Sequence, residues 1–387
     1  MDEELRKYDE IRPFEPEELP AAYDRLQGNT QFQAVVKYLY PEVPFAAIAQ
    51  KMRSCKTSLE FQKAFCYTFL KNLLAKHSTG CEIDATDIDN TRRYTFMSNH
   101  RDIVLDSAFL DKLLLDAGFT TTCEIAIGDN LLSLPWVKDM VRVNKSFIVE
   151  RGLPMRQMLM SSKRLSDYMH YAVNRKHENV WIAQREGRAK DSNDRTQEAV
   201  LKMMAMGGDG SVVDRLEQLH IVPLSISYEY DPCDYLKAQE FQFRRDVPDW
   251  KKGPQDDLIS MQTGITGFKG HIHYHCAPCL DDYLRQLPAD LPKNEVFLHI
   301  AQHIDREIHR NYRLYPANYI ALDVLQGTRQ HEDKYSVDES IFFKDYLASQ
   351  IQKIQIPNKD EAYLRERMLT MYANPAINYL AAHEENK

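Results

Sequence analysis

The sequence predicts an α/β protein: a central, mostly parallel sheet flanked by helices, with a helical N-terminal unit and a helical C-terminal cover. Three observations lead there. Residues 20–80 carry apolar side chains at three- and four-residue spacing, with breaks at Pro41 and Pro44. From about residue 92 short apolar runs alternate with helical stretches, the pattern of strands joined by crossover helices. Beyond about 290 the helical spacing returns. The expected organisation is a helical unit over 1–85, an α/β domain over 86–290 and a helical region over 291–387.

Taken in order, the expected strands are "YTFMS" (94–98), "EIAIG" (124–128), "SFIVE" (146–150), "VWIAQ" (180–184), "IVPLSISYE" (221–229) and "HIHYHC" (271–276). Each is short, rich in β-branched or aromatic residues, and bounded by polar or turn-forming positions. Between them "FLDKLLLDAG", "MRQMLMSSKRLSDYMHYAVNRK" and "RTQEAVLKMMAM" read as helices. The methionines Met155, Met158 and Met160 are expected in the core, where unbranched thioethers fill irregular gaps. In "HIHYHCAPC" the alternation of His271, His273 and His275 with Ile272, Tyr274 and Cys276 reads as an amphipathic strand. A zinc site is the weaker reading, because a second well-spaced ligand pair is missing.

Composition narrows the function. With 43% hydrophobic and 27% charged residues the chain reads as globular, and its formal net charge of −8 gives no basic footprint for nucleic acid. No apolar run approaches the length of a membrane span, and the charged N-terminus lacks a signal-peptide core. Seven cysteines without a framework fit reduced thiols in a cytoplasm. Between Lys138 and Arg195, however, 13 Lys/Arg stand against 7 Asp/Glu. Such a basic segment suits an anionic membrane surface or an acidic carrier protein.

The chemistry concentrates where the first strand ends, at "SNHRDIVLD" (98–106). The letters His-Arg-Asp match a kinase catalytic loop, but position 107 is Ser and no glycine-rich loop accompanies them. Acyl transfer fits better. A hydroxyl attacking a thioester needs a base that titrates near neutrality, and a carboxylate to orient that base. His100 supplies the first. Asp106 is the favoured partner on reach, with Asp102 second. Further on, "VNKSFIVERG" places Arg151 after a strand, and "VWIAQREGRAKD" places Arg185, Glu186, Gly187 and Arg188 after another. Arginine's planar fork suits phosphate oxygens.

In their order these segments resemble the glycerolipid acyltransferase family, the glycerol-3-phosphate and lysophosphatidate acyltransferases. "SNHRDIVLD" resembles its Asn-His-x4-Asp block, "NKSFIVER" its Gly-x-x-Phe-Ile-x-Arg block and "AQREGRAKD" its Phe-Pro-Glu-Gly-x-Arg block. "HIVPLSISYE" resembles its apolar fourth block. This chain departs in placing Asp106 one residue further from His100, Asn144 for the second-block glycine, Gln184-Arg185 for Phe-Pro, and Arg188 one position early.

The resemblance implies a divergent member with His100 as general base. Asp106 or Asp102 would orient it, and Asn99 would be a turn residue or supporting donor. Arg151 and Arg188, with Arg185, Glu186 and Gly187, would bind the acceptor. It implies no cofactor or metal. An acyl-carrier-protein or coenzyme A thioester serves as co-substrate in phospholipid biosynthesis, at the inner face of a membrane. The same residues leave open an O-acyltransferase for an acylated amino acid, a His/Asp thioesterase and a non-catalytic lipid-binding module.

Overall fold

The computed structural model describes residues 3–288 and 290–384. Five helical segments open the chain: α1 (Leu19–Gly28), α2 (Thr30–Leu39), α3 (Phe45–Ser54), α4 (Ser58–Phe61) and α5 (Tyr67–His77). Residues Gln62–Cys66, between the last two, wind as a π-helix. The Asn29 side chain accepts from the Phe32 amide and so caps α2, the usual remedy for an orphaned first-turn donor.

Seven strands follow: β1 (Gly80–Asp84), β2 (Thr95–Ser98), β3 (Cys123–Gly128), β4 (Ser146–Val149), β5 (Asn179–Ala183), β6 (Ile221–Tyr228) and β7 (His271–Cys276). Interleaved with them run α6 (Leu105–Asp116), α7 (Pro135–Val143), α8 (Met155–Asn174), α9 (Glu198–Met204), α10 (Val212–Glu217), α11 (Asp234–Asp246) and α12 (Pro254–Thr266). After the sheet come α13 (Asp281–Gln286), α14 (Lys293–Arg310), α15 (Pro316–Gln326), α16 (Val337–Lys353) and α17 (Glu361–Glu384).

The sheet order is β1-β7-β6-β2-β5-β3-β4. β6, β2, β5, β3 and β4 run parallel, while β7 pairs antiparallel with β6 and parallel with β1. The sheet is therefore mostly parallel with a reversed edge pair. β1 is a strand that apolar patterning misses: "GCEID" is short, polar and partly exposed at the edge. β2 is central, with all four residues buried, since helices cover both of its faces.

Alternation along the strands builds two cores. Phe96, Trp181, Val222 and Leu224 join Leu105, Phe109 and Leu113 of α6 on one face. Met97, Val180, Ile182 and Ile221 join α8, α9 and α14 on the other. The N-terminal helices pack around Tyr23, Leu26, Ile48 and Phe61, with Val143 of α7. The expected methionine core does not form. Met155, Met158 and Met160 are 81%, 49% and 67% exposed, because the first two turns of α8 project beyond the sheet edge before the helix reaches the core at Leu165.

The C-terminal helices α15, α16 and α17 form a fourth core with Ala238 of α11. Their polar tie is Asp234, at the start of α11. Its carboxylate accepts from the Tyr346 and Tyr372 hydroxyls at 2.9 and 2.8 Å, from Gln350 at 2.7 Å and from the Tyr235 amide at 2.6 Å. Burial, with Asp231 nearby, pushes this acid up to about 7 despite those donors.

A carboxyl raised on folding makes the native state hold a proton that the unfolded chain releases. Its stabilising contribution is whole below the unfolded value and fades as pH rises through about 7. Asp234→Asn keeps acceptors for Gln350 and the amide, and offers donors the tyrosine hydroxyls accept. Relative to wild type, it should gain about 1–2 kcal/mol between pH 5 and pH 8, read by urea unfolding at both. Parallel curves for the two proteins would place the titrating group elsewhere.

Candidate active site

Where β2 ends, Asn99 continues the sheet by side chain. Its amide nitrogen donates to the Ile226 carbonyl at 2.9 Å and its oxygen accepts the Ile226 amide at 2.8 Å. This fully buried residue is thus committed to holding the loop against β6, and it presents nothing to a ligand.

Fixed by that clasp, His100 points its Nδ1 at Asp106 Oδ2, 2.8 Å away. The same oxygen accepts the backbone amides of Arg101 at 2.6 Å and Asp102 at 3.0 Å. Asp106 is buried while the His100 side chain remains 13% exposed, so the pair has one wet end. Trp181 packs edge-on against the imidazole at 5.6 Å between ring centres, and its indole nitrogen is anchored on Ser98 Oγ at 3.0 Å. The Tyr274 hydroxyl donates to the Asp106 carbonyl at 2.9 Å.

The extra residue between His100 and Asp106 is absorbed because α6 begins only at Leu105. Asp102 makes that late start possible: its Oδ1 accepts the amides of Val104 at 2.9 Å and Leu105 at 2.8 Å. It is therefore a cap, not the imidazole's partner. Burial, and then the charge of Asp106, raises it above the usual carboxylate value, with Arg188 opposing. α12 presses directly on it: a Cβ at Gly264 would lie 1.9 Å from Asp102 Oδ2, so only glycine fits.

The arginines divide. Arg188 is buried, 8% exposed, and its Nη1 has no hydrogen-bond partner. Its charge acts on two nearby carboxylates, opposing the rise at Asp102 and helping to hold Asp231 down. Arg151 is more open; its amide donates to Asp129 and its guanidinium stands 3.7 Å from Glu186. Gly187 occupies the left-handed region at φ +68°, turning the chain so that Arg188 can point inward. Arg185 is half-buried. Arg101, which the motifs do not single out, is buried against Asp194 at 2.7 Å, and Asp194 also accepts from Tyr312 at 2.5 Å. A second such tie joins Lys237 to Asp231 and to the Arg101 carbonyl. Asp194, Asp231, Lys237 and Tyr312 lie 90 or more positions from His100 in sequence, and no local pattern announces them.

Below α6 lies an apolar cavity of about 290 Å³ between that helix and the N-terminal unit. Phe32, Val36, Phe65, Leu70, Val104 and Ala108 are among its walls. Among its polar wall atoms Thr122 donates to Gln62 at 2.6 Å and Gln62 to Asp111 at 3.1 Å, while the Trp136 indole nitrogen is buried without a partner.

Among the described residues one cluster has metal-ligand chemistry: His220, Cys279 and Asp281, with donor atoms within 4.8 Å of one another. Arg92 already fills the cation's role there, 3.2 Å from Asp281 and 3.3 Å from His220 Nδ1. The histidines of β7 instead face acids of the β1 edge, His273 at 3.3 Å from Glu82 and His275 at 3.5 Å from Asp84.

A His/Asp pair thus stands at the end of a central parallel strand, with buried Arg188 near Asp102 and an apolar cavity beneath α6. Residues 82–227 match the model of the Acyltransferase family. Among solved structures, the 1-acyl-sn-glycerophosphate acyltransferase PlsC from Thermotoga maritima is similar at 12% identity. That match covers 71% of this chain and 87% of PlsC, with a TM-score of 0.37. No curated protein matches the chain at a significant level.

The two carboxylates should separate cleanly on substitution. Asp106→Asn weakens the acceptor for His100 Nδ1 and should lower turnover about tenfold more than Asp102→Asn. Asp102→Asn keeps its capping oxygen and should cost at most about 1 kcal/mol in stability. Steady-state rates and thermal melts on both variants decide this; equal loss of turnover would make Asp102 a participant.

Proposed function

We propose that the protein transfers a fatty acyl group from a coenzyme A or acyl-carrier-protein thioester to a hydroxyl of a glycerol-phosphate-type acceptor. The observation that carries this reading is the 2.8 Å contact between His100 Nδ1 and Asp106, which leaves Nε2 to face the acceptor. As the acceptor oxygen attacks the thioester carbonyl, Nε2 takes its proton. The new imidazolium is stabilised by Asp106, itself held by two backbone amides. Collapse of the tetrahedral adduct breaks the carbon–sulfur bond, and the thiolate leaves with the proton from His100. No acyl-enzyme, metal or cofactor enters the scheme.

Arg188 would hold the acceptor's anionic head, since its buried Nη1 otherwise has no partner. Arg151, at the mouth, would add a second, more solvated contact. The cavity beneath α6 would receive the acyl chain, being apolar and adjoining Val104 in the loop that follows His100. A thioesterase would share the His/Asp pair, and a lipid-binding module would need neither proton transfer nor acceptor. Product formation that depends on added acceptor separates all three. A panel of glycerol 3-phosphate, lysophosphatidate and an acylated amino acid, read by mass spectrometry, names the acceptor.

His100→Ala should lower turnover by about 10²- to 10⁴-fold while leaving circular dichroism unchanged. Turnover near wild type would remove the general-base mechanism. Ala108→Phe, which adds bulk inside the cavity, should shift donor preference toward shorter acyl chains in a competition assay. An unchanged preference would place the chain elsewhere.

A further inference from the structure

The first two turns of α8 form an apolar peg that the described residues leave largely uncovered. Met155, Met158, Leu159 and Met160 are 81%, 49%, 58% and 67% exposed, and Pro154, Arg156 and Gln157 between and before them are exposed too. At about 100° per residue, Met155 and Leu159 share one side of the helix while Met160 lies on another. A helix seated in a protein groove needs one apolar face. A peg that is apolar on two sides and bare all round is matched by a medium that surrounds it.

Charge points the same way. From Arg151 to Ser166 there is no carboxylate, while Arg151 and exposed Arg156 flank the apolar side chains. Long cationic side chains beside an apolar insertion reach back to anionic headgroups. The peg follows β4, whose C-terminal end lies on the same sheet edge as that of β2, which carries His100. α12, whose Gly264 abuts Asp102, adds Leu258 and Ile259, 55% and 40% exposed.

We infer that the N-terminal two turns of α8 insert into the headgroup and upper acyl region of an anionic bilayer, setting the His100 edge of the sheet against the lipid. The insertion itself stands on the exposed peg. Its use, delivery of an amphiphilic acceptor to His100, rests on the function proposed above.

The test uses the full-length protein with vesicles of phosphatidylcholine, with and without phosphatidylglycerol. Wild type should co-sediment with the anionic vesicles, and Met155→Asp/Leu159→Asp should bind them at least about tenfold more weakly. The double variant should keep wild-type circular dichroism and wild-type transfer from a short-chain thioester to a soluble acceptor. His100→Ala should bind vesicles like wild type, so failure of the catalytic reading leaves the binding result intact. Equal vesicle binding by wild type and the double variant, or none by wild type, overturns the inference. So does sedimentation velocity showing a wild-type dimer that the double variant dissolves, which would make the peg a self-association surface.

Discussion

The whole site hangs on one oxygen. Asp106 Oδ2 accepts from His100 Nδ1 and from the backbone amides of Arg101 and Asp102, so a single acceptor fixes both the imidazole and the loop that carries it. Its partner oxygen is buried without a hydrogen bond, which concentrates the carboxylate's charge on the three donors it has. Because Asp106 belongs to the first turn of α6, any displacement of that helix moves the base. The apolar side chains of α6 buried under β2 and β5 are therefore part of the positioning apparatus, and not only of the core.

Around this point the protein arranges successive rings of satisfied polar groups. Asn99 clasps β6, Trp181 is anchored on Ser98, and Arg101 is buried against Asp194. Each would be costly to leave unmatched, so together they hold the loop in one geometry. Arg188 breaks the pattern. It is as buried as the others, yet one of its nitrogens lacks a protein acceptor. The apolar cavity on the far side of α6 offers the opposite chemistry, so one helix separates a polar demand from an apolar one.

Much of this was legible in the residues. Six of the seven strands follow from β-branched and aromatic runs, each within about two residues of its ends, because central strands must be apolar to be covered on both faces. The edge strand β1 was not legible, since an edge needs no such run. The reversal of β7 was hidden for another reason: direction is set by what a strand pairs with, and "HIHYHC" reads the same either way. At the site, His100 and Arg188 were named by their motifs. Asp194, Tyr274 and Gly264 contribute through contacts across 90 or more positions, which no local spacing encodes. The methionines of α8 misled for the converse reason: apolar composition implies burial only if something lies opposite.

The delayed start of α6 has a wider implication. With its first helical residue at Leu105, α6 carries Asp106 in its opening turn, and a histidine and a carboxylate six positions apart meet at 2.8 Å. An interval counted along a chain is thus a poor proxy for an interval through space wherever a loop feeds a helix. Signatures written with a fixed gap between base and carboxylate will pass over chains built like this one. A signature that fixed the end of the strand and let the helix boundary float would retain them.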